Sequence, residues 1–338
     1  VFMKPLLILM NTPSDIFADA YSYIMIVSGG ILAQMLYNLL SSILRALGNS
    51  KLPLYFLIIS ALLNIVLDLV FIIRFQMGAK GAAVATVIAQ GTSGVLCLLY
   101  IIAKVPVLHI KRDDLQVGGT IYSNQLRIGI PMALQYSITA IGSVILQASV
   151  NTLGSMAVAA VAAGSKVTLF FCCPFDALGG TMATYAGQNV GAGKLDRIKA
   201  GLKSSSIIGC IYAVIAFLIL VFFSDKIALL FMDAGETETI RQVSMFLIAN
   251  SAFYIPLVFV NVVRFTIQGM GYSTFAILAG VFEMAARGLA GLVLVPAFGY
   301  IAACFGSPLA WIFADIFLFP AFFHCLKTVK RELKEAKQ

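Results

Sequence analysis

Residues 38–54 read NLLSSILRALGNSKLPL, and residues 261–278 read NVVRFTIQGMGYSTFAIL. At a single shift of 223, Asn38 falls on Asn261, Gly48 on Gly271 and Ser50 on Ser273. Two further pairs follow in the same order at nearly the same offset. Upstream, LILM ending at Met10 matches LLFM ending at Met232. Downstream, GAKGAAVATVIAQ from Gly78 to Gln90 matches GYIAACFGSPLAW from Gly299 to Trp311. Three ordered matches imply two homologous bundles, with the polar stretch 105–124 as their linker.

The repeat sits in a very apolar chain. Of its 338 residues, 60% are hydrophobic and only 11% charged, and its mean hydropathy is +0.97, whereas soluble domains carry about 25% charged residues. A water-soluble fold is therefore excluded, and the useful unit is the apolar span of about 20 residues. Nine spans are read, near 18–46, 52–75, 80–103, 126–151, 156–186, 202–224, 240–270, 274–296 and 300–326. The fold class is thus an all-α polytopic membrane protein. Residues 1–104 form an incomplete amino-terminal lobe, 105–124 the linker, 125–326 a six-helix carboxyl-terminal lobe and 327–338 a basic tail. Three spans of the second bundle have no counterpart in the first, so the reading expects a parent of six plus six helices and about 100 residues upstream of Val1.

The net charge of +8 follows topology, with no sign of a nucleic-acid partner. Alternate loops collect most of the Lys and Arg: Arg45 and Lys51, then Lys104 to Arg127, Lys194 to Lys203, Arg264, and the tail KTVKRELKEAK from Lys327. This positive-inside pattern places the carboxyl terminus in the cytoplasm of a cell inner (plasma) membrane, and the tail is read as an interfacial anchor. The two imidazoles, His109 and His324, lack a metal-ligand partner at helical spacing, and the six cysteines lack CxxC spacing, so metalloenzyme chemistry is excluded. AGQNVGAGKL resembles a phosphate cradle, but Gln188 and Leu195 stand where a P-loop needs Gly and Ser or Thr. An enzyme is not expected.

Polar residues inside spans need an account, because a mid-span charge costs on the order of 3 kcal/mol. Asp68 stands in ALLNIVLDLVFII with Asn64 four residues earlier, on the same helix face. Thr86, in the next span, is equally far from the intervening turn. Carboxylate, amide and hydroxyl therefore converge at one depth, as a site for Na⁺ or H⁺ or as interhelical contacts. Glu283 and Arg287, also four apart, read as an intrabundle ion pair or as coupling groups. Gln34, Tyr37, Asn38 and Tyr136 are candidates for lining a cavity.

With these pieces in place, the chain resembles the MATE family of multidrug and toxic compound extrusion transporters. The resemblance rests on ILRALGNSKLPLYFLIISALLNIVLDLVFI, GAKGAAVATVIAQ, GIPMALQ and above all MATYAGQNVGAGKLDRIKAG. It implies twelve helices in two lobes, a central cavity, and a monomer that exports small organic cations by alternating access in exchange for Na⁺ or H⁺, with no cofactor. It further implies a cation site whose Asn, Asp and Thr match Asn64, Asp68 and Thr86, completed by an Asp on the family's first helix, upstream of this chain. The seventh-helix Glu of some relatives is missing from PMALQYSITAIG, and their tenth-helix Asp from IPLVFVNVVRFTIQG. A lipid-linked oligosaccharide flippase of the same superfamily and a non-transporting membrane scaffold are the alternatives.

Overall fold

The computed structural model describes residues 3–5, 17–109, 118–233 and 235–335. The repeat residues ending at Met10 and residues 110–117 of the expected linker lie outside them. All regular structure among the described residues is helical, and the chain folds as two compact units, Val1–Gln116 and Val117–Gln338.

In the first unit, α1 (Phe17–Gly29) and α2 (Ile31–Ala46) form one span bent by 44° at Gly30. The bend sits where the chain presses on the helix behind it, since a Cβ on Gly30 would meet a Val87 methyl at 2.3 Å. Then come α3 (Lys51–Leu69), widening into a π-helical turn at Val70–Arg74, and α4 (Gly78–Lys104). A small core of Leu40, Leu44, Cys97 and Ile101 joins α2 to α4. Almost the whole surface of α3 is left bare: Leu54, Ile58, Leu62, Ile65 and Leu69 are all about half exposed or more. A helix apolar all round that buries so little of itself among the described residues offers its bare faces to lipid or to further helices.

The second unit comprises α5 (Gly119–Asn151), α6 (Ser155–Gly191), α7 (Leu195–Ala228), α8 (Thr237–Ser251) and α9 (Tyr254–Gly269), followed by α10 (Ser273–Leu289) with a π turn at Ala290–Leu294. Two short helices, α11 (Val295–Phe298) and α12 (Tyr300–Cys304), lead into α13 (Gly306–Glu335). Helix α9 is its axis: Val258, Val262 and Ile267 are fully buried, and it packs on α6, α7 and α13. Near its start an aromatic cluster forms, with ring centroids 5.4 Å apart for Phe175 and Tyr254 and 6.2 Å for Tyr254 and Trp311. At its end the backbones nearly touch, for a Cβ on Gly269 would fall 2.3 Å from the Ala183 carbonyl oxygen.

Seven of these helices are long and apolar enough to cross a membrane. The bent pairs α1–α2 and α8–α9, the latter broken by 50°, bring the number to nine among the described residues. The expected spans thus recur with different breaks. The span at 300–326 starts as the separate helix α12. Helix α5 begins at Gly119, inside the stretch read as linker. The basic tail is no separate segment but the last turns of α13, because Lys327 to Glu335 offer good helix formers and no Gly or Pro to stop it.

The repeat is also visible in the backbone. Gly48 and Gly271 take φ of +86° and +94°, and both close a helix by the same turn, with Asn49 N donating to Leu44 O (2.9 Å) and Tyr272 N to Ile267 O (3.2 Å). Only glycine holds this left-handed conformation without strain. The π turns after α3 and α10 correspond, as do Gly78 and Gly299, at φ of +55° and +62°.

Candidate functional site

Asn64 and Asp68 project from one face of α3, which packs along α4. Two contacts set the register of this antiparallel pair: Ser60 Oγ donates to Ala89 O at 2.6 Å, and Phe71 lies against Gly81. Counting inward from both places Thr86 opposite Asn64, with Asp68 about one turn further along, so Thr86 is level with the amide rather than with the carboxylate that the equal-depth reading pairs with it. Thr86 donates its hydroxyl proton to Ala82 O (2.9 Å), which leaves the oxygen's lone pairs to accept or coordinate.

Two polar atoms here are unsatisfied. Asp68 Oδ1 and Asn64 Nδ2 are buried and have no hydrogen-bond partner among the described residues. A buried polar atom without a partner costs on the order of 1–3 kcal/mol, more when charged, and membrane interiors offer no water to relieve it. A carboxylate oxygen in this state could accept a hydrogen bond, a proton or a small cation.

In the second unit the pair Glu283–Arg287 is present, with Arg287 Nη1 donating to Glu283 Oε2 at 3.1 Å. It is one half of a triad. Arg264 Nη2 donates to the other oxygen, Glu283 Oε1, and all three residues are buried. Assigning Arg264 to a basic loop is therefore corrected: it lies within α9, held there by a carboxylate nineteen residues on. Beside the triad, Gln268 Nε2 donates to Gln135 Oε1 (3.0 Å), tying α9 to α5. Asp315 on α13 lies within electrostatic reach of Arg264 and Glu283, and its Oδ1 is buried without a partner. Sequence reasoning passed over Asp315, although it stands alone in the apolar run FADIFLF, the same signal that drew attention to Asp68.

The four candidate cavity residues separate. Tyr37 donates its hydroxyl to Pro53 O at 3.1 Å and so staples α2 to α3. Gln34 and Asn38 are exposed on α2, and Tyr136 on α5 is 57% exposed. Among the described residues no cluster of three or more His, Cys, Asp or Glu side chains could hold a metal.

The fold and the site define a polytopic helical membrane protein of two repeated units with charges buried inside its spans. The comparisons make this specific. The MatE family model matches residues 1–70 and 131–294. The chain is 34% identical over 200 residues to "Probable multidrug resistance protein YpnP" of Bacillus subtilis, an alignment covering 58% of this chain and 44% of that protein. It is 27% identical to "Probable multidrug resistance protein YoeA" of the same organism, over 70% of this chain and 53% of the relative. The crystal structure of a MATE in the bent conformation superposes with a TM-score of 0.88 at 19% identity, covering 98% of this chain and 74% of that one. The chain belongs to the MatE family and is a multi-pass membrane protein. It spans about half the length of the curated relatives it matches.

Proposed function

We propose that this chain forms the greater part of a secondary exporter of small organic cations, coupled to inward movement of H⁺ or Na⁺ by alternating access of its two lobes. The single observation that carries the reading is the buried, partnerless carboxylate oxygen of Asp68 beside Asn64. Loading that carboxylate removes a desolvated charge, and unloading restores it, so occupancy and conformation become linked. Asp68 takes the ion, while the Asn64 amide, turned to present its oxygen, and the Thr86 hydroxyl complete its surroundings. The relatives' printed names, multidrug resistance proteins, support a small-molecule substrate. The protein acts as a monomer in the plasma membrane with its carboxyl terminus in the cytoplasm, and it takes no cofactor.

The exporter reading is favoured over a flippase by the state of the buried cations. A pyrophosphate-carrying substrate calls for several free positive charges in the bundle, whereas Arg264 and Arg287 are both bound to Glu283 and Lys166 of α6 is left as an in-span cation without an ion pair among the described residues. The test is ethidium efflux from vesicles under separately imposed Na⁺ and H⁺ gradients. Asp68→Asn is expected to abolish gradient-driven efflux at undiminished membrane insertion, and the gradient that drives the unsubstituted protein names the ion. Efflux by Asp68→Asn with unchanged coupling overturns the assignment.

A further inference from the structure

Two clefts in the second unit join at one end of α7 and α13. The first, about 440 Å³, is lined by Lys199 of α7 and by Lys327, Lys330 and Lys334 of α13, with Asp196 as its one carboxylate. The second, about 610 Å³, runs between α7, α9 and α13 over Ile207, Ile211, Phe259 and Phe319, with Lys199 and Lys203 at its mouth. Lys199 and Phe323 line both, so the two are continuous.

The arrangement follows from helix periodicity. On α7, Lys199, Lys203, Ile207 and Ile211 recur every four residues and form one stripe that changes from charged to apolar over about 18 Å. On α13 the order is reversed, with Phe319 and Phe323 preceding Lys327, Lys330 and Lys334. The antiparallel stripes therefore present their lysines at one end and their apolar side chains at the other. No ion pair involves any of these five lysines among the described residues. On α13 the neighbouring carboxylates are engaged elsewhere, Glu332 by the Tyr272 hydroxyl at 3.0 Å and Glu335 by Arg331 at 3.8 Å. Five lysines set against the single carboxylate of Asp196, directly above an apolar cleft, match an amphiphile with an anionic head and a hydrocarbon chain.

We infer that this composite groove is a binding site for an anionic phospholipid, with the phosphate among Lys199, Lys327 and Lys330 and one acyl chain along Ile207, Ile211 and Phe323. A free phosphate leaves the apolar cleft unfilled, and a zwitterionic lipid leaves the lysines uncompensated. The inference stands on the surface of the second unit and is independent of the transport reading.

The test is native mass spectrometry and thermal unfolding of the protein from mixed phosphatidylglycerol and phosphatidylcholine. The protein is expected to retain phosphatidylglycerol in preference and to unfold at higher temperature with it. Lys199→Gln/Lys203→Gln/Lys327→Gln is expected to weaken that retention on the order of a hundredfold, at roughly fivefold per lysine. The three side chains are exposed, so the variant folds, whereas Lys80→Gln in the first unit changes nothing. Ile207→Trp, which fills the cleft from its apolar side, is expected to lower retention with the lysines intact. Equal retention of the two lipids, an unaffected triple variant, or displacement of phosphatidylglycerol by inorganic phosphate overturns the proposal, the last identifying a plain anion site.

Discussion

The two repeated units share a backbone and differ in what they bury in it. At the shift that places Asn38 on Asn261, the triad Arg264, Glu283 and Arg287 falls on Ser41, Ser60 and Asn64. Ser41 and Ser60 are buried like their counterparts, but their hydroxyls are satisfied by backbone carbonyls, Asn38 O at 3.2 Å and Ala89 O at 2.6 Å. One unit thus closes its helices with a charged lock, and the other with neutral hydrogen bonds. The carboxylate of the first unit appears one turn further on, as Asp68, where the second has Gly291 packed against Ser149. Glu283 has both oxygens engaged by guanidinium groups and is committed. Asp68 has a buried oxygen without a partner among the described residues, as has Asp315 of the second unit. On the proposed function Asp68 is the carboxylate that takes and releases an ion, and the shared scaffold engages Glu283 through two arginines that the first unit replaces by Ser41 and Asn64.

The sharpest way to break this contrast is Glu283→Gln, which leaves two guanidinium groups buried without a counter-charge. It is expected to cost about 3–5 kcal/mol, seen as loss of monodisperse folded protein and a large drop in unfolding temperature. The matching Ser60→Ala loses one neutral hydrogen bond and about 1 kcal/mol. Equal effects at the two positions would remove the distinction. Asp68→Asn goes the other way: it deletes an unpaired buried charge, so thermal stability is expected to rise by on the order of 1 kcal/mol even as coupling is lost. A fall in stability would show that Asp68 is structural. Gly48→Ala and Gly271→Ala supply the control for the shared backbone. Each forces a side chain into positive φ, at a cost of about 1–2 kcal/mol, and similar losses at the two sites are expected in the same unfolding measurement.

The membrane class, the nine spans, the repeat and the family resemblance were all legible in the chain, because each depends on local composition or on order along the sequence. Asp68 was legible for the same reason: a lone carboxylate in an apolar run must be explained wherever the helix packs. The breaks at Gly30 and around Ala252 and Phe253 were not, since a bent helix and a straight one have the same hydropathy.

Arg264 shows the limit most clearly. It lies five residues from the turn at Gly269 and Met270, so a reading by position assigns it to a loop, and its real environment depends on Glu283 arriving from the next helix. Local chemistry makes a buried charge improbable, and only the tertiary structure supplies the counter-charge that makes it stable. The sequence by itself determined that this protein lives in a membrane and carries intramembrane charge. Which of those charges are neutralised, and which carboxylate oxygens stay without a partner among the described residues, was decided by packing between helices, because the energy of a charge in a low-dielectric interior is set by its nearest partners rather than by its neighbours along the chain.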